Sequence, residues 1–263
     1  MIGELIGKGN TADVFDIGNN KVVKLFQLDY PKNSVEKEFK NSKQINKCNI
    51  PTVEGYELIE YEGRYGILYD KIDGVSMLDL LLKTQDLEKY TKILANLHKK
   101  INSHKTKLDF RLKSILKKNI EGTEILSMDC KAKLFSILNV LPEDNCLCHG
   151  DFHFGNIIES QGMNYVIDYM NICQGHKLGD IARTVYLIEM TPVPSESNNI
   201  DKIFNMKKQV TDIYLKEMGV SREILSDWLM VTAAARLSEL NVEQTVEIDT
   251  ILEYLSDYGL KND

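Results

Sequence analysis

The 263-residue sequence lacks the features of membrane-spanning, secreted and disulfide-bonded proteins. Its longer apolar runs, such as Met77 to Leu82, fall far short of the roughly 20 residues that cross a bilayer. The N-terminal stretch MIGELIGKGN has no basic segment followed by an apolar core, so we expect no signal peptide. Five irregularly spaced cysteines do not form a disulfide framework, and they favour a reducing compartment. We therefore expect a cytoplasmic protein without a membrane partner.

An excess of positive charge is also missing. Lysine and arginine total 32 against 39 aspartate and glutamate residues, so the formal net charge is −7. This balance argues against non-specific binding of nucleic acid. A hydrophobic content of 43% and a charged content of 27% are typical of a globular protein with a sizeable core. The sequence indicates no obligate protein partner.

The order of the predicted elements indicates an α+β fold with two lobes. Residues 1–72 predict short antiparallel strands with one inserted helix, which has Ser34 as a plausible N-cap. Gly18-Asn19-Asn20 is typical of a hairpin turn. Residues 73–263 predict a larger, mainly helical lobe, interrupted by strands between Cys146 and Asp168. A cleft between two such lobes is a common place for a ligand.

A glycine-containing stretch, LIGKGNTADVF, lies between the first two predicted strands. Gly7 and Gly9 would let backbone N–H groups approach a phosphate without obstruction by a Cβ atom. Asn10 and Thr11 would add side-chain donors. Considered alone, the stretch is better explained as an ordinary glycine-containing hairpin.

A lysine occupies the next strand, VVKLF, and a helix follows it. Glu38 falls close to the apolar stripe of that helix, so it could turn inward towards Lys24 and hold its ammonium ready for phosphate oxygens. Glu36 is the alternative partner. A lysine on the exposed face of a strand and a solvated, charged helix would explain these residues without a shared site.

Polar residues cluster in the stretch HGDFHFGNII. His149, Asp151 and His153 alternate as three zinc ligands on a strand might, but Gly150 and Gly155 indicate a loop. The competing hypothesis takes Asp151 as a base or orienting group and Asn156 as an oxygen ligand for magnesium. Cysteines just upstream fall on a predicted buried strand, where cysteine usually packs as a small hydrophobe.

Asp168 ends the apolar strand of the stretch MNYVIDYMN. A carboxylate in this position can project into a cleft, and alone it is also a common turn former. Together with Asn156 it would supply the hard oxygen ligands that magnesium prefers.

The ordered set resembles the aminoglycoside phosphotransferase and choline kinase superfamily, which has the two-lobed protein-kinase-like fold. HGDFHFGN followed by VIDY is similar to the family's H-G-D-x-x-x-x-N and I-D blocks. GHKLGDIAR is similar to the block that follows, LANLH to a family helix motif, and LYDKIDG to the segment that joins the lobes. The resemblance runs from Leu5 to about Ile188.

The resemblance implies a role for each matching residue of the nucleotide site. Lys24, oriented by Glu38, would bind the α- and β-phosphates of ATP or GTP, and Asn156 and Asp168 would hold Mg²⁺ on the phosphates. Tyr69 would line the rear of the base pocket. The backbones of Asp70 and Ile72 would hydrogen-bond the base.

The resemblance also assigns residues to the acceptor side of the reaction. Asp151 would accept or orient the proton of the acceptor hydroxyl. His149 would shape the catalytic loop, Asp180 would brace it, and His153 would pack beneath it. His98 would have a structural role.

The implied function is transfer of the γ-phosphate to a hydroxyl of a small molecule, with an aminoglycoside-like antibiotic as the first-ranked acceptor. A choline-like amine, a sugar and another metabolite are the alternatives. Gly179 follows Asp168 by only eleven positions, too few for a long peptide-presenting segment, which ranks a protein kinase lower. The alternative outside the enzymes is a regulator that binds a nucleotide but does not transfer its phosphate.

Overall fold

The computed structural model of the chain describes residues 2–9, 11–193 and 199–260. Asn10, one of the predicted phosphate-binding residues, lies outside these ranges. Within them the strands are β1 Glu4–Lys8, β2 Ala12–Gly18, β3 Lys21–Phe26, β4 Glu57–Tyr61, β5 Arg64–Asp70, β6 Val75–Ser76, β7 Cys146–Cys148, β8 Ile157–Ser160, β9 Met163–Val166 and β10 Cys173–Gly175. The helices are α1 Lys32–Ile45, α2 Met77–Thr84, α3 Leu87–Ser103, α4 Leu112–Gly122, α5 Met128–Val140, α6 Lys177–Glu189, α7 Ile200–Met218, α8 Arg222–Arg236 and α9 Thr245–Asp257.

Packing divides the chain into two compact units. The first comprises Met1–Gln85 with Phe154–Ile172, and the second comprises Asp86–His153 with Cys173–Asp263. The predicted boundary after Ile72 assigns residues 154–172 to the second lobe, whereas they pack within the first unit. They do so because β8 pairs with both β6 and β9 in a three-stranded sheet. The functional boundary at Ile72 stays a prediction.

The first unit is built on a five-stranded antiparallel sheet in the order β1-β2-β3-β5-β4. The turn between β2 and β3 has Asn19 and Asn20 at φ values of 53° and 56°, as a tight hairpin of matching twist requires. Glu62 and Gly63 form the equivalent turn between β4 and β5. The hairpin between β2 and β3 is therefore where the sequence predicts it.

Helix α1 begins at Lys32, earlier than a Ser34 N-cap would place it. Pro31 is the N-cap residue, its φ of −60° already suits a helix start, and its missing N–H costs nothing there. The buried face of α1 carries Val35, which joins the apolar core under the sheet, and also the polar residues Glu38 and Asn41.

The second unit is mainly helical, with β7 and β10 paired as a short antiparallel ribbon. Trp228 is buried at its centre, close to the α6 glycine Gly179. A Cβ atom on Gly179 would lie 2.8 Å from the Trp228 ring, so only glycine permits this packing. Among the described residues, no helix combines the length and the apolar character needed to cross a membrane. The α+β class with a small antiparallel sheet and a larger set of helices is confirmed.

Candidate active site

Lys24 lies at the centre of an ion-pair cluster in the first unit. Its Nζ atom donates to both carboxylate oxygens of Glu38, at 2.8 and 2.9 Å, and to Asp168 Oδ1 at 2.9 Å. Glu38 is buried on α1, whereas the Asp168 side chain is 38% exposed. The structure therefore brings three of the predicted site residues together, and it shows that Glu38, not Glu36, is the partner of Lys24.

The charges of this cluster hold Lys24 in its protonated form. Burial opposes the ammonium charge, but attraction by the carboxylates of Glu38 and then Asp168 outweighs it, so the pKa of Lys24 is raised. Tyr69 donates its hydroxyl to Glu38 Oε1 at 3.2 Å, and burial raises the pKa of that phenol. Lys24 is thus a fixed positive charge that can face an anionic ligand.

Asn156 directly precedes β8, and Asp168 follows β9 by two residues, so both lie at the open end of the β8–β9 hairpin. The backbone N–H of Ile167 donates to the carbonyl of Asn156 at 3.0 Å, and Ile157 pairs with Val166. A carboxylate and an amide supply the hard oxygen atoms that Mg²⁺ prefers, with water and phosphate oxygens as its further ligands. The chemistry of this donor set therefore fits a magnesium ion.

The other described residues of the predicted nucleotide site lie in the strands of the five-stranded sheet or directly beside them. Gly7 and Gly9 flank the end of β1, and the Gly9 N–H donates to the Ala12 carbonyl at 2.9 Å, which closes the hairpin around exposed Thr11. At the end of β5, Asp70 accepts a hydrogen bond from Lys21 Nζ at 2.6 Å. Ile72 follows β5 and is half-buried.

Asp151 has basic neighbours in the second unit. Its Oδ2 lies 3.7 Å from His153 Nε2, and its Oδ1 lies 3.8 Å from Arg183 Nη2. Burial would raise the pKa of Asp151, but His153, Arg183 and His149 together lower it to about 2. Asp151 is therefore a carboxylate at neutral pH, able to accept a hydrogen bond from a hydroxyl. His153 lies beside this carboxylate and is about one-third exposed, instead of packing beneath the loop.

Asp180 braces the loop that carries Asp151. Its carboxylate accepts the backbone N–H groups of His149 at 2.9 Å and Gly150 at 2.8 Å, and Gly150 adopts a φ of +78° that favours glycine. His98 Nε2, at 2.8 Å, and Asn102 Nδ2, at 2.9 Å, also contact Asp180 Oδ2. These contacts fix the loop immediately before Asp151.

The zinc alternative finds no support in this geometry. Within residues 2–9, 11–193 and 199–260, no group of three or more His, Cys, Asp and Glu side chains is placed to hold a metal ion. His149 is fully buried, whereas His153 and Asp151 are partly exposed.

A family model described as "Phosphotransferase enzyme family" matches residues 3–202. The chain belongs to the phosphotransferase enzyme family. The protein is therefore a small-molecule phosphotransferase, and its acceptor is a hydroxyl group. A search of curated proteins finds no match to the phosphotransferase.

Solved structures share the fold of the phosphotransferase at low sequence identity. An amicoumacin kinase, solved with AMP-PNP, Ca²⁺ and its ligand, is 12% identical with a TM-score of 0.60, and the match covers 98% of this chain and 89% of that one. Aminoglycoside phosphotransferase APH(3'')-Id from Streptomyces rimosus, solved with ADP and streptomycin, is 13% identical with a TM-score of 0.59, covering 92% and 94%. A putative fructosamine-3-kinase from Haemophilus somnus is 13% identical with a TM-score of 0.56, covering 96% and 90%.

Two contacts of the phosphotransferase escape sequence reasoning. Arg183 reaches Asp151 from α6 and is anchored by Glu239 at 2.8 Å. The Thr184 hydroxyl donates to the Phe152 carbonyl at 2.9 Å, one residue after Asp151. Both residues are one helical turn after Asp180, on the same face of α6. That spacing is visible in the sequence, but it becomes informative only once Asp180 is known to face the loop.

We expect the phosphotransferase variant Asp180→Asn to lose stability in a pH-dependent way. The buried carboxylate has its pKa lowered from 3.8 to about 2, because the contacts from His98, Gly150 and Asn102 outweigh the effect of burial. Its contribution, on the order of 2 kcal/mol of unfolding free energy, is present above pH 3.8 and is lost as the pH falls to about 2. The unfolding free energies of the wild type and Asp180→Asn, measured by denaturant titration, should therefore converge as the pH falls from 3.8 to about 2.

The control for this prediction is Asp227→Asn, which changes an exposed aspartate of the same unit. We expect its unfolding free energy to follow the wild type at each pH. A stability difference between wild type and Asp180→Asn that stays constant down to pH 2 would contradict the assignment of Asp180 as a buried, charged brace.

Proposed function

We propose that this phosphotransferase is a magnesium-dependent kinase that transfers the γ-phosphate of ATP or GTP to a hydroxyl of an aminoglycoside-like antibiotic. The observation that carries the proposal is the Lys24–Glu38–Asp168 cluster, because it combines a fixed ammonium with a part-exposed carboxylate. Phosphoryl transfer needs little covalent chemistry from the protein, and such charges supply most of what it does need.

We propose that Lys24 binds the α- and β-phosphates, with Glu38 holding its ammonium in place. Asp168 and Asn156 would hold Mg²⁺, which when bound neutralises charge on the phosphate oxygens. The glycine hairpin with Gly7, Gly9 and Thr11 would cover the phosphates. Tyr69 and the backbones of Asp70 and Ile72 would form the base pocket.

On the acceptor side we propose that Asp151 orients the acceptor hydroxyl and receives its proton. A carboxylate with a pKa of about 2 is a weak base, so its main contribution would be alignment of the hydroxyl, with proton transfer late in the reaction. Asp180 and His149 would support the loop that holds this carboxylate.

Solved relatives support an antibiotic as the acceptor and a purine nucleotide as the donor. The amicoumacin kinase carries AMP-PNP, and APH(3'')-Id carries ADP with streptomycin. The fructosamine-3-kinase neighbour favours a sugar derivative as the second candidate acceptor. Trp228, Tyr186 and Tyr214 are buried in the core of the second unit, so they do not offer an aromatic cage for a choline-like amine.

We place the reaction in the cytoplasm, where an antibiotic-modifying kinase would confer resistance. All five cysteines are free thiols, which agrees with a reducing compartment. The five are also buried, so they serve as core residues.

Release of nucleoside diphosphate across an acceptor panel tests the proposal. The wild-type protein would be supplied with MgATP or MgGTP and with aminoglycosides, sugar amines, choline and simple alcohols. We expect acceptor-dependent release with aminoglycosides and none after chelation of Mg²⁺. Release that depends only on a sugar amine would move the assignment to the second acceptor class. Nucleotide binding without release for any acceptor would favour the regulator hypothesis.

We expect Lys24→Met to weaken binding of the nucleoside triphosphate by about ten- to hundredfold, because charge-assisted hydrogen bonds are worth about 1.5–3 kcal/mol each. Calorimetric titration with MgATP measures the effect, and circular dichroism checks that the variant folds. Lys40→Met, an exposed lysine of the same unit, is the control. Unchanged affinity in Lys24→Met would show that another lysine binds the phosphates.

A further inference from the structure

A buried asparagine on α1 contacts the backbone next to Asp168. Asn41 Nδ2 donates to the Tyr169 carbonyl at 2.7 Å, and Asn41 is only 5% exposed. Asn41 is one helical turn after Glu38, so the same face of α1 presents both side chains. Neither the ion-pair cluster nor the metal donor set includes this amide.

The backbone at Asp168 needs such a restraint. Asp168 has a φ of +66°, in the left-handed region that few residues other than glycine, asparagine and aspartate adopt, so contacts on both sides help to keep it there. On its N-terminal side, the Ile167 N–H is held by the Asn156 carbonyl at 3.0 Å. On its C-terminal side, the Tyr169 carbonyl accepts the shorter hydrogen bond from Asn41, at 2.7 Å, and a longer one from the Ile172 N–H, at 3.4 Å.

Helix α1 therefore reaches Asp168 by two routes. One route runs through side chains, from Glu38 to Lys24 and from Lys24 to Asp168 Oδ1. The other runs from Asn41 to the backbone that follows Asp168. The first route fixes the carboxylate through an ion pair, and the second fixes the main chain from which the carboxylate projects.

We propose that Asn41 is a positioning residue for the Asp168 carboxylate and thereby sets the affinity for the magnesium–nucleotide complex. This inference rests on the proposed function, since it takes Asp168 as a metal ligand. Residues that orient a metal ligand through hydrogen bonds typically change metal affinity by about 10–100-fold when they are replaced.

The test compares ADP affinity with and without Mg²⁺ by calorimetry, and it needs no acceptor. The ratio of the two dissociation constants gives the magnesium-dependent gain in affinity. We expect Asn41→Leu, which keeps the branched shape of the side chain but removes the donor, to reduce that gain about tenfold or more. ADP affinity without Mg²⁺ should stay at the wild-type value.

Ser42→Ala is the matched control, because Ser42 is buried beside Asn41. Its hydroxyl donates to the Phe39 carbonyl at 2.8 Å and accepts the Gly55 N–H at 3.1 Å, and neither contact involves the Asp168 segment. A merely structural effect would lower the melting temperature in both variants and leave the magnesium-dependent gain unchanged. If Asn41→Leu does not fold, Asn41→Ala gives the same comparison.

The outcomes separate this inference from the proposed function. A wild-type gain that disappears in Asp168→Asn and falls in the Asn41 variant supports both. A gain that disappears in Asp168→Asn but equals the wild-type value in the Asn41 variant overturns the role of Asn41 alone. A gain that survives in Asp168→Asn overturns the metal assignment and the inference together.

Discussion

Asp151→Asn is expected to lower kcat for phosphoryl transfer by about 10²–10⁴-fold, the range that general-base assistance supplies. The amide keeps the size of the side chain but removes the charge held between His153, at 3.7 Å, and Arg183, at 3.8 Å. It can neither accept the acceptor proton nor orient the hydroxyl as strongly. Affinity for MgATP should not change, because Asp151 has no proposed role in nucleotide binding.

Single-turnover kinetics and a calorimetric titration of the same sample measure the two quantities. Asp129→Asn, an exposed aspartate of the second unit, is the control and should retain the wild-type rate. Because the pKa of Asp151 is about 2, protonation of this group should not limit the rate near neutral pH. A wild-type rate in Asp151→Asn would remove Asp151 from the catalytic machinery.

Asp168→Asn should reduce transfer at least as strongly as Asp151→Asn does, because the metal that neutralises the phosphate charge would be lost or misplaced. Asparagine is the right substitute here. At a φ of +66° asparagine tolerates the left-handed backbone, whereas alanine would add strain to the loss of charge. Asp168→Asn therefore tests the carboxylate itself.

The distinguishing result for Asp168→Asn is the effect of Mg²⁺ on nucleotide affinity. The wild type should bind ADP more tightly with Mg²⁺ than without it, and the variant should bind equally under both conditions. Asp73→Asn, an exposed aspartate of the same unit, should behave as the wild type does. A preserved magnesium effect in Asp168→Asn would mean that other groups hold the metal.

Local elements of the fold could be predicted from sequence because short-range rules determine them. Positive φ values at Asn19 and Asn20 are what a tight hairpin needs, and the apolar stripe of α1 places Glu38 near its buried face. The first residue of α1 is harder to predict, because Ser34 and Pro31 are both typical of helix starts. The sequence alone does not say which of the two begins the helix.

The remaining parts of the site depend on contacts between distant segments. Asn41 meets the Tyr169 carbonyl across 128 positions of the chain, and Thr184 meets the Phe152 carbonyl across 32. A backbone carbonyl has no side-chain signature, so no residue pattern indicates which amide or hydroxyl will bind it. The packing of residues 154–172 with the first unit is equally hard to predict from sequence, because it depends on pairing between the distant strands β6 and β8.

The most direct test of the central claim is the mass of the acceptor after incubation with ATP that carries heavy oxygen in its γ-phosphate. We predict that an aminoglycoside gains one phosphoryl group with the heavy label, and that Asp151→Asn and Asp168→Asn form this product at least about 10²-fold more slowly. The contradicting result is a wild-type protein that binds MgATP but labels none of the aminoglycosides, sugar amines and alcohols tested. It would show that these residues do not transfer phosphate to a small-molecule hydroxyl.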